Sequence, residues 1–335
     1  MIASTIGKTF LRIYNQQKKT EYTAKEFFTE VFAPLFFDRP KYMRTGGNSP
    51  LENPKFKKGQ RPDEADRAIR LEKTVQKIED DPAGSSPIGY PSNDPQATTS
   101  GQVSSLGMII QSEDVYCSWI GSGFSVGVEG GLSFLFNEPK ILMDLYDGWQ
   151  YYRNYLEEMP SLAPNQIDTW NGQWLAHRYH KWYFMESSPL ANFDPFAAPK
   201  NGEVRLATQS WTRVVFGLAQ TFRDATLLAY VFSLGQTNKT VGFIPIQLAK
   251  VSKPLYLYQK LFGESTYWKD AALIEEIYGN KNSLFRACER GAIGIRALEP
   301  GVLWDLMRKP NKTIKYKPED QRVVVSFRTY ITWIL

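Results

Sequence analysis

The stretch Val115-Tyr-Cys-Ser-Trp-Ile-Gly-Ser-Gly-Phe-Ser-Val-Gly-Val-Glu-Gly-Gly-Leu-Ser-Phe-Leu-Phe136, followed by Asn137-Glu-Pro-Lys140, decides the fold class of this 335-residue chain. Val115 to Ile120 is β-branched and aromatic and reads as strand-like; the glycines after it read as a sheet turn. Pro139 suits the first turn of a helix, where its missing N–H would have had no intrahelical partner. The helix predicted from Lys140 to Glu158 places Ile141, Leu145, Trp149, Tyr152 and Leu156 on one buried face.

Working outward, Ile2, Ile6, Phe10 and Leu11 recur at helical spacing, as do Phe27, Phe28, Val31 and Phe32. Thr23 and Glu26 form a capping-box pattern, and Asp38-Arg-Pro40 ends that helix. Residues 63–80 read as a charged helix with Ala65, Ala68, Ile69, Leu71, Val75 and Ile78 as its apolar stripe. Residues 186–202 read as a loop. Thr208 to Leu234 reads as a helix and then a strand, and Gly235 to Thr240 turns it into a hairpin with Val241 to Ile246. Further helices are expected at 254–263, 268–278 and 282–299. The fold is therefore expected to be α+β, predominantly helical with a minor antiparallel β component. The Pro-, Gly- and Ser-rich segment 81–105 suggests a division into an N-terminal helical, basic and loop-rich region (1–105) and a main α+β body (106–335). The apolar stretch Tyr330 to Leu335 reads as a docked terminal element or as a truncation point, the second slightly preferred.

Composition narrows the function classes. With 42% hydrophobic and 22% charged residues the chain has globular rather than disordered composition. Two distant cysteines, Cys117 and Cys288, exclude a disulfide scaffold and suit a reducing, cytoplasmic compartment. No apolar run reaches the roughly 18–20 residues of a membrane span, so no membrane partner is expected. The formal charge of +5 permits a polyanionic partner without demanding one.

Catalytic motifs fail on spacing. Gly7-Lys8-Thr9 lacks the glycine five positions earlier that a phosphate-binding loop needs; Ile2 stands there. Gly121, Gly123 and Gly127 precede poor helix material, unlike a dinucleotide fingerprint. Ser125 matches the G-x-S-x-G spelling, but His177 and His180, the two histidines, lack the surrounding βα alternation of a hydrolase. Those histidines lack cysteine or acidic partners for zinc, and Arg178 and Lys181 beside them oppose a cation. Glu138-Pro139-Lys140, with Asp114 upstream, is the nearest approach to a Mg²⁺-nuclease string, yet proline is awkward in a central strand and Glu138 fits a helix start. Hence no catalytic residue, metal site or cofactor is assigned.

What remains is basic and irregular. Lys41, Arg44, Lys55, Lys57, Lys58 and Arg61 alternate with glycines, prolines and Asn48, a pattern suited to holding phosphates. Thr99, Ser100 and Gln102 offer hydroxyls and an amide to phosphates or base edges. Arg308 to Lys317 adds a second basic run around Tyr316. The candidate nucleic-acid contacts are Lys41, Arg44, Asn48, Lys57, Lys58, Arg61, Thr99, Ser100 and Gln102. Each segment taken alone reads first as a solvated loop; only the three together point to nucleic acid. A Mg²⁺-dependent restriction-type nuclease and a protein-interaction scaffold using the aromatic surplus (14% of residues) are the alternatives.

Several strings carry a family resemblance: Ser4-Thr-Ile-Gly-Lys-Thr-Phe-Leu-Arg-Ile-Tyr-Asn15, Tyr42-Met43 with Asn48-Ser-Pro50, Ala97-Thr-Thr-Ser-Gly-Gln102, Asn165 to His177, and Leu234 to Pro245. Together they resemble the large subunit of bacterial type I CRISPR surveillance complexes. The resemblance implies a non-enzymatic role beside a guide-RNA-bearing complex. There the protein reads a short motif next to the target DNA and helps to open the duplex, while base pairing reads the rest. Its implied partners are DNA, guide RNA and the other subunits of a defence complex. No motif residue transfers individually.

Overall fold

The computed structural model describes residues 2–36, 64–82, 109–159, 161–162, 167–181, 183–200, 202–233, 239–262, 284–289 and 291–294. It is mostly helical with a small antiparallel sheet, the α+β class expected.

Helix α1 (Ile2–Lys18) buries Ile6, Phe10, Leu11 and Ile13. Helix α2 (Ala24–Phe27) begins at the capping box: Thr23 Oγ1 accepts from the Glu26 N–H at 3.2 Å, and Glu26 accepts from the Thr23 N–H at 2.8 Å. A π-helical turn (Phe28–Phe32) and α3 (Ala33–Phe36) continue it. Helix α4 (Glu64–Asp80) follows. Of its expected stripe only Ile78 is fully buried, while Ile69 is exposed.

Helix α5 (Ser112–Gly123) corrects the strand expected at Val115–Ile120. Residues 115–121 are all buried, so the run is apolar on every side and its periodicity does not separate strand from helix. Glu113 and Asp114 in the first turn favour the helix through its dipole. Gly121 and Gly123 therefore end a helix rather than follow a strand. The helix α1 crosses α5 at backbone distance: a Cβ on Gly7 would lie 1.9 Å from the Cys117 carbonyl oxygen, and one on Gly121 would lie 1.9 Å from that of Ala3.

The sheet runs in the order β1 (Val126–Val128), β2 (Leu132–Phe136), β5 (Thr226–Ser233), β6 (Lys239–Gln247), all antiparallel. All five residues of β2 are buried, as a central strand covered on both faces requires. The β5–β6 hairpin falls where the sequence places it. Gly242, at φ +103°, accommodates a register shift opposite Val231–Phe232. Between β2 and β5 come α6 (Pro139–Glu158), with the proline in its first turn, α7 (Ile167–Arg178), a second hairpin of β3 (Phe196–Lys200) and β4 (Glu203–Leu206), and α8 (Trp211–Thr221). The hairpin corrects the loop expected over 186–202; Gly202, at φ +78°, makes its turn.

Helix α9 (Leu248–Phe262) starts a turn and a half before the position predicted from Pro254. Leu248 and Val251 are buried, and the Leu248 N–H donates to the Ala225 carbonyl at 3.0 Å, so the helix is docked before the proline is reached. Helix α10 (Leu284–Cys288) is shorter than the 282–299 expected. Gly291 takes φ +77°, and Ile293 bonds to the edge of β6, its N–H to the Pro245 carbonyl at 3.0 Å. The helix end expected at Asp38–Pro40 and the helix expected at 268–278 lie outside the described residues.

An aromatic core joins these elements. Phe10, Phe124, Tyr146 and Trp149 meet with ring centroids 4.4–6.5 Å apart, and Tyr152 stacks on Trp170 at 4.8 Å. Burial of each such ring contributes roughly 2–3 kcal/mol before entropy is counted.

Candidate functional site

All nine sequence-assigned nucleic-acid contacts, Lys41, Arg44, Asn48, Lys57, Lys58, Arg61, Thr99, Ser100 and Gln102, lie outside the described residues, as does the run from Arg308 to Lys317. The structure does describe the frame from which the first basic segment leaves and to which it returns. It leaves after α3, where Leu35 is buried and the Arg153 guanidinium of α6 donates to the Pro34 carbonyl at 3.3 Å. It returns at α4, where Thr74 and Ile78 are buried. There the Tyr116 hydroxyl of α5 donates to Glu79 at 2.8 Å, and Lys25 of α2 pairs with the same carboxylate at 3.2 Å. Tyr116, and then Lys25, hold the Glu79 carboxyl below its ordinary range against a smaller desolvation effect.

A polar constellation surrounds Asp144 of α6. Its carboxylate accepts from the Tyr179 hydroxyl at 2.7 Å and from Lys140 at 3.0 Å, and Arg178 lies 3.3 Å away. Arg178 also pairs with Glu186 at 2.9 Å and stands over the Phe184 ring, 4.2 Å from its centroid. The Asp144 backbone carbonyl accepts from the Trp174 indole at 2.7 Å. Burial, and then the neighbouring carboxylate, push the Tyr179 phenol well above its ordinary value. The arrangement joins α6 to α7 and to the turn after it. With both oxygens of Asp144 engaged by cations and a hydroxyl, it is a staple, and it leaves no basic group to accept a substrate proton.

The two histidines are core residues. His177 lies in the last turn of α7, which ends at Arg178, and His180 lies beyond it, so the two are not an i, i+3 pair on one helix. His177 Nε2 lies 2.8 Å from the Pro189 carbonyl, which assigns the proton to that nitrogen. Burial pushes both histidines down, His180 to about 4, and the charge of Arg213 adds to the effect on each. The unfolded chain therefore binds a proton near pH 6.5 that the fold refuses until about pH 4. Stability is full above pH 6.5 and falls as pH drops through that window. Burial raises the Asp147 carboxyl, which works in the opposite direction at the acid end. Denaturant titrations at pH 7.5 and pH 5 are expected to differ by about 2 kcal/mol from His180 alone. His180→Phe, which keeps a ring against Tyr183, should remove most of that difference; an unchanged pH dependence in the variant would show that other groups produce it.

The remaining motifs have structural places. Gly7 and Lys8 lie inside α1, and Lys8 pairs with Asp114 at 2.8 Å. Ser125 is buried, its hydroxyl donating to the Ser122 carbonyl at 2.7 Å. Burial pushes the thiols of Cys117 and Cys288 up to about 12 and about 11, which keeps them protonated and poorly nucleophilic. Glu138 occupies the N-cap position of α6. Among the described residues no group of three or more His, Cys, Asp or Glu side chains could hold a metal ion, and no helix is long and apolar enough to cross a membrane.

Sequence reasoning did not single out Asp144, Arg178, Tyr179 or Asn171. The contacts that join Asp144 to Trp174, Arg178 and Tyr179, and Asn171 to Gly123, Ser125 and Trp149, span 22–48 residues, and no local spacing announces them. The chain matches no protein-family model, no curated protein and no solved structure.

Proposed function

We propose that this chain is a non-catalytic nucleic-acid-binding subunit of an antiviral defence complex, contacting target DNA to read a short motif and help open the duplex. The observation that carries this reading is the basic, glycine- and proline-broken segment Lys41 to Arg61, inserted between two helices that are each docked on the body. A cationic segment held at both ends presents its charges to a phosphate backbone at a smaller entropic cost than a free tail. Guide RNA and other subunits are the partners the family resemblance implies. The outward face of the β5–β6 hairpin, where Leu228 and Phe243 stand exposed, is suited to protein contact within such an assembly. The reading places the chain in the cytoplasm.

Fluorescence anisotropy with labelled duplex DNA tests it. Affinity is expected to fall roughly a hundredfold between about 50 and 200 mM salt, with the DNA intact in the presence of Mg²⁺. Reversing three charges, Lys57→Glu, Lys58→Glu and Arg61→Glu, should weaken binding at least tenfold and flatten the salt slope. Cleaved DNA would turn the assignment to a nuclease. Absence of binding at low salt would remove direct DNA recognition by the isolated chain.

A further inference from the structure

The segment that follows α7 folds back over that helix as a flap. Its backbone is bonded within itself. The Ser188 N–H donates to the Met185 carbonyl and the Ala191 N–H to the Ser188 carbonyl, both at 3.0 Å, and the Phe193 N–H donates to the Leu190 carbonyl at 3.2 Å. Residues 184–193 are thus a compact unit whose turns do not depend on the body.

Phe184, Leu190 and Phe193 are its half-buried side chains. The Phe193 ring lies 5.5 Å from Trp170, 5.8 Å from Trp174 and 4.6 Å from His177, centroid to centroid. Phe184 lies 6.1 Å from Trp174 and 5.7 Å from His177. The two indoles beneath are buried, with ring planes 6° from parallel. Their N–H groups are bonded to α6, Trp170 to the Gly148 carbonyl at 3.0 Å and Trp174 to the Asp144 carbonyl at 2.7 Å. Lifting the flap would uncover ring faces and leave no indole N–H unpaired.

Among the described residues one ion pair and one hydrogen bond tie the flap to α7, beside the contact of Arg178 with the Phe184 ring. The ion pair joins Arg178 to Glu186, whose side chain is 78% exposed, so solvent and salt weaken it. The hydrogen bond comes from a buried side chain: His177 Nε2 lies 2.8 Å from the Pro189 carbonyl. His177 therefore touches both rings of the flap and its backbone.

A second proton on that imidazole meets an unfavourable site. Burial holds His177 below its ordinary value, the Pro189 carbonyl partly offsets this, and the charge of Arg213 on α8 adds to it. Arg178, His180 and Lys181 follow on its own segment. Asp144 of α6 is engaged by Tyr179, Lys140 and Arg178. Glu186 on the flap and Asp194 just beyond it are exposed.

We propose that residues 184–193 are a lid over the Trp170 and Trp174 faces, latched by neutral His177 and released when that side chain is protonated. The closed lid favours the neutral imidazole; with the lid open the imidazole meets water and binds a proton below about pH 6.5. The opening constant therefore stays level above that pH and rises as pH falls, by up to about thirtyfold between pH 7.5 and pH 5.

Thiol labelling of the full chain carrying Leu190→Cys tests the lid, using a pyridyl disulfide reagent. Each rate is divided by that of the same thiol in the urea-unfolded chain at the same pH, which removes thiol ionisation. Native Cys117, buried in α5, reports global unfolding in the same sample. Residue 190 should be labelled at least about tenfold faster than Cys117, because it needs only local opening. Its protection should begin to fall near pH 6.5 and drop up to about thirtyfold by pH 5. Adding His177→Gln, which keeps an N–H for Pro189 and does not titrate, should hold that drop within about threefold. Circular dichroism at both pH values shows whether this chain is folded. Adding His180→Phe instead should leave the drop in place. Equal labelling of residue 190 and Cys117 would mean global unfolding and overturn the lid. An undiminished drop in His177→Gln, a drop that vanishes in His180→Phe, or one that starts only below pH 5 would overturn the latch.

Discussion

Asn171→Leu is expected to destabilise the fold by about 3–5 kcal/mol, enough to abolish it in many domains of this kind. Asn171 is completely buried in α7. Its amide nitrogen donates to the carbonyls of Gly123 at 2.7 Å and Ser125 at 2.8 Å, and its oxygen accepts from the Trp149 indole at 2.9 Å. One side chain thus satisfies the end of α5, the start of the sheet and the central tryptophan of α6. Leucine has similar volume but leaves a donor and two acceptors buried without this partner, each at roughly 1–3 kcal/mol. Asn171→Asp should be at least as harmful, because a carboxylate would face two carbonyl oxygens where the amide donates. Urea denaturation of the purified variants measures both effects. A loss below about 1 kcal/mol for the leucine variant would mean that the site relaxes or admits water.

The second large effect concerns the crossing of α1 and α5. Gly7→Ala and Gly121→Ala are each expected to cost about 3 kcal/mol or more, at or beyond the usual range for overpacking. The added methyl meets backbone carbonyl groups of the facing helix at 1.9 Å, and backbone in a helix does not rotate away as a flexible side chain would. The helices must separate, opening the contacts that Phe10 makes with Phe124 and Trp149. Because separation caused by one substitution relieves the other, the double variant should cost less than the sum of the two. Gly217→Ala is the internal control. It lies in α8, and its nearest neighbour, the Tyr179 side chain, would be 3.4 Å from the new carbon, an ordinary contact. That substitution should be neutral or stabilising by up to about 1 kcal/mol through helix propensity. Equal effects at all three glycines would contradict the close-crossing account.

The local devices of this fold were legible in the chain. Thr23 and Glu26 mark a helix start because their side chains and backbone groups satisfy one another within four residues. Pro139 marks another because its ring suits a first turn. The hairpin of β5 and β6 follows from two apolar runs around a polar turn, and the face of α6 from a period of 3.6 residues. Even there the reading erred where proximity was absent from the pattern. Val115 to Ile120 reads as a strand but is helical, because enclosure on all sides erases the periodicity that separates the two structures. Ile293 left the expected helix because β6 offered it an edge to bond.

The proposed site divides the same way. Lysines and arginines in a broken segment are visible in sequence, since a cluster of charge along the chain needs no partner to be recognised. The staple around Asp144 was not visible, because Tyr179 and Arg178 reach that carboxylate only when α7 packs on α6. By itself the sequence determined the class of fold, the starts of α2 and α6 and where its charge is concentrated, all products of interactions between near neighbours. The tertiary structure alone decided which carbonyls Asn171 holds, which groups engage Asp144 and how closely α1 meets α5. Those depend on groups tens of residues apart meeting at distances of a few ångströms.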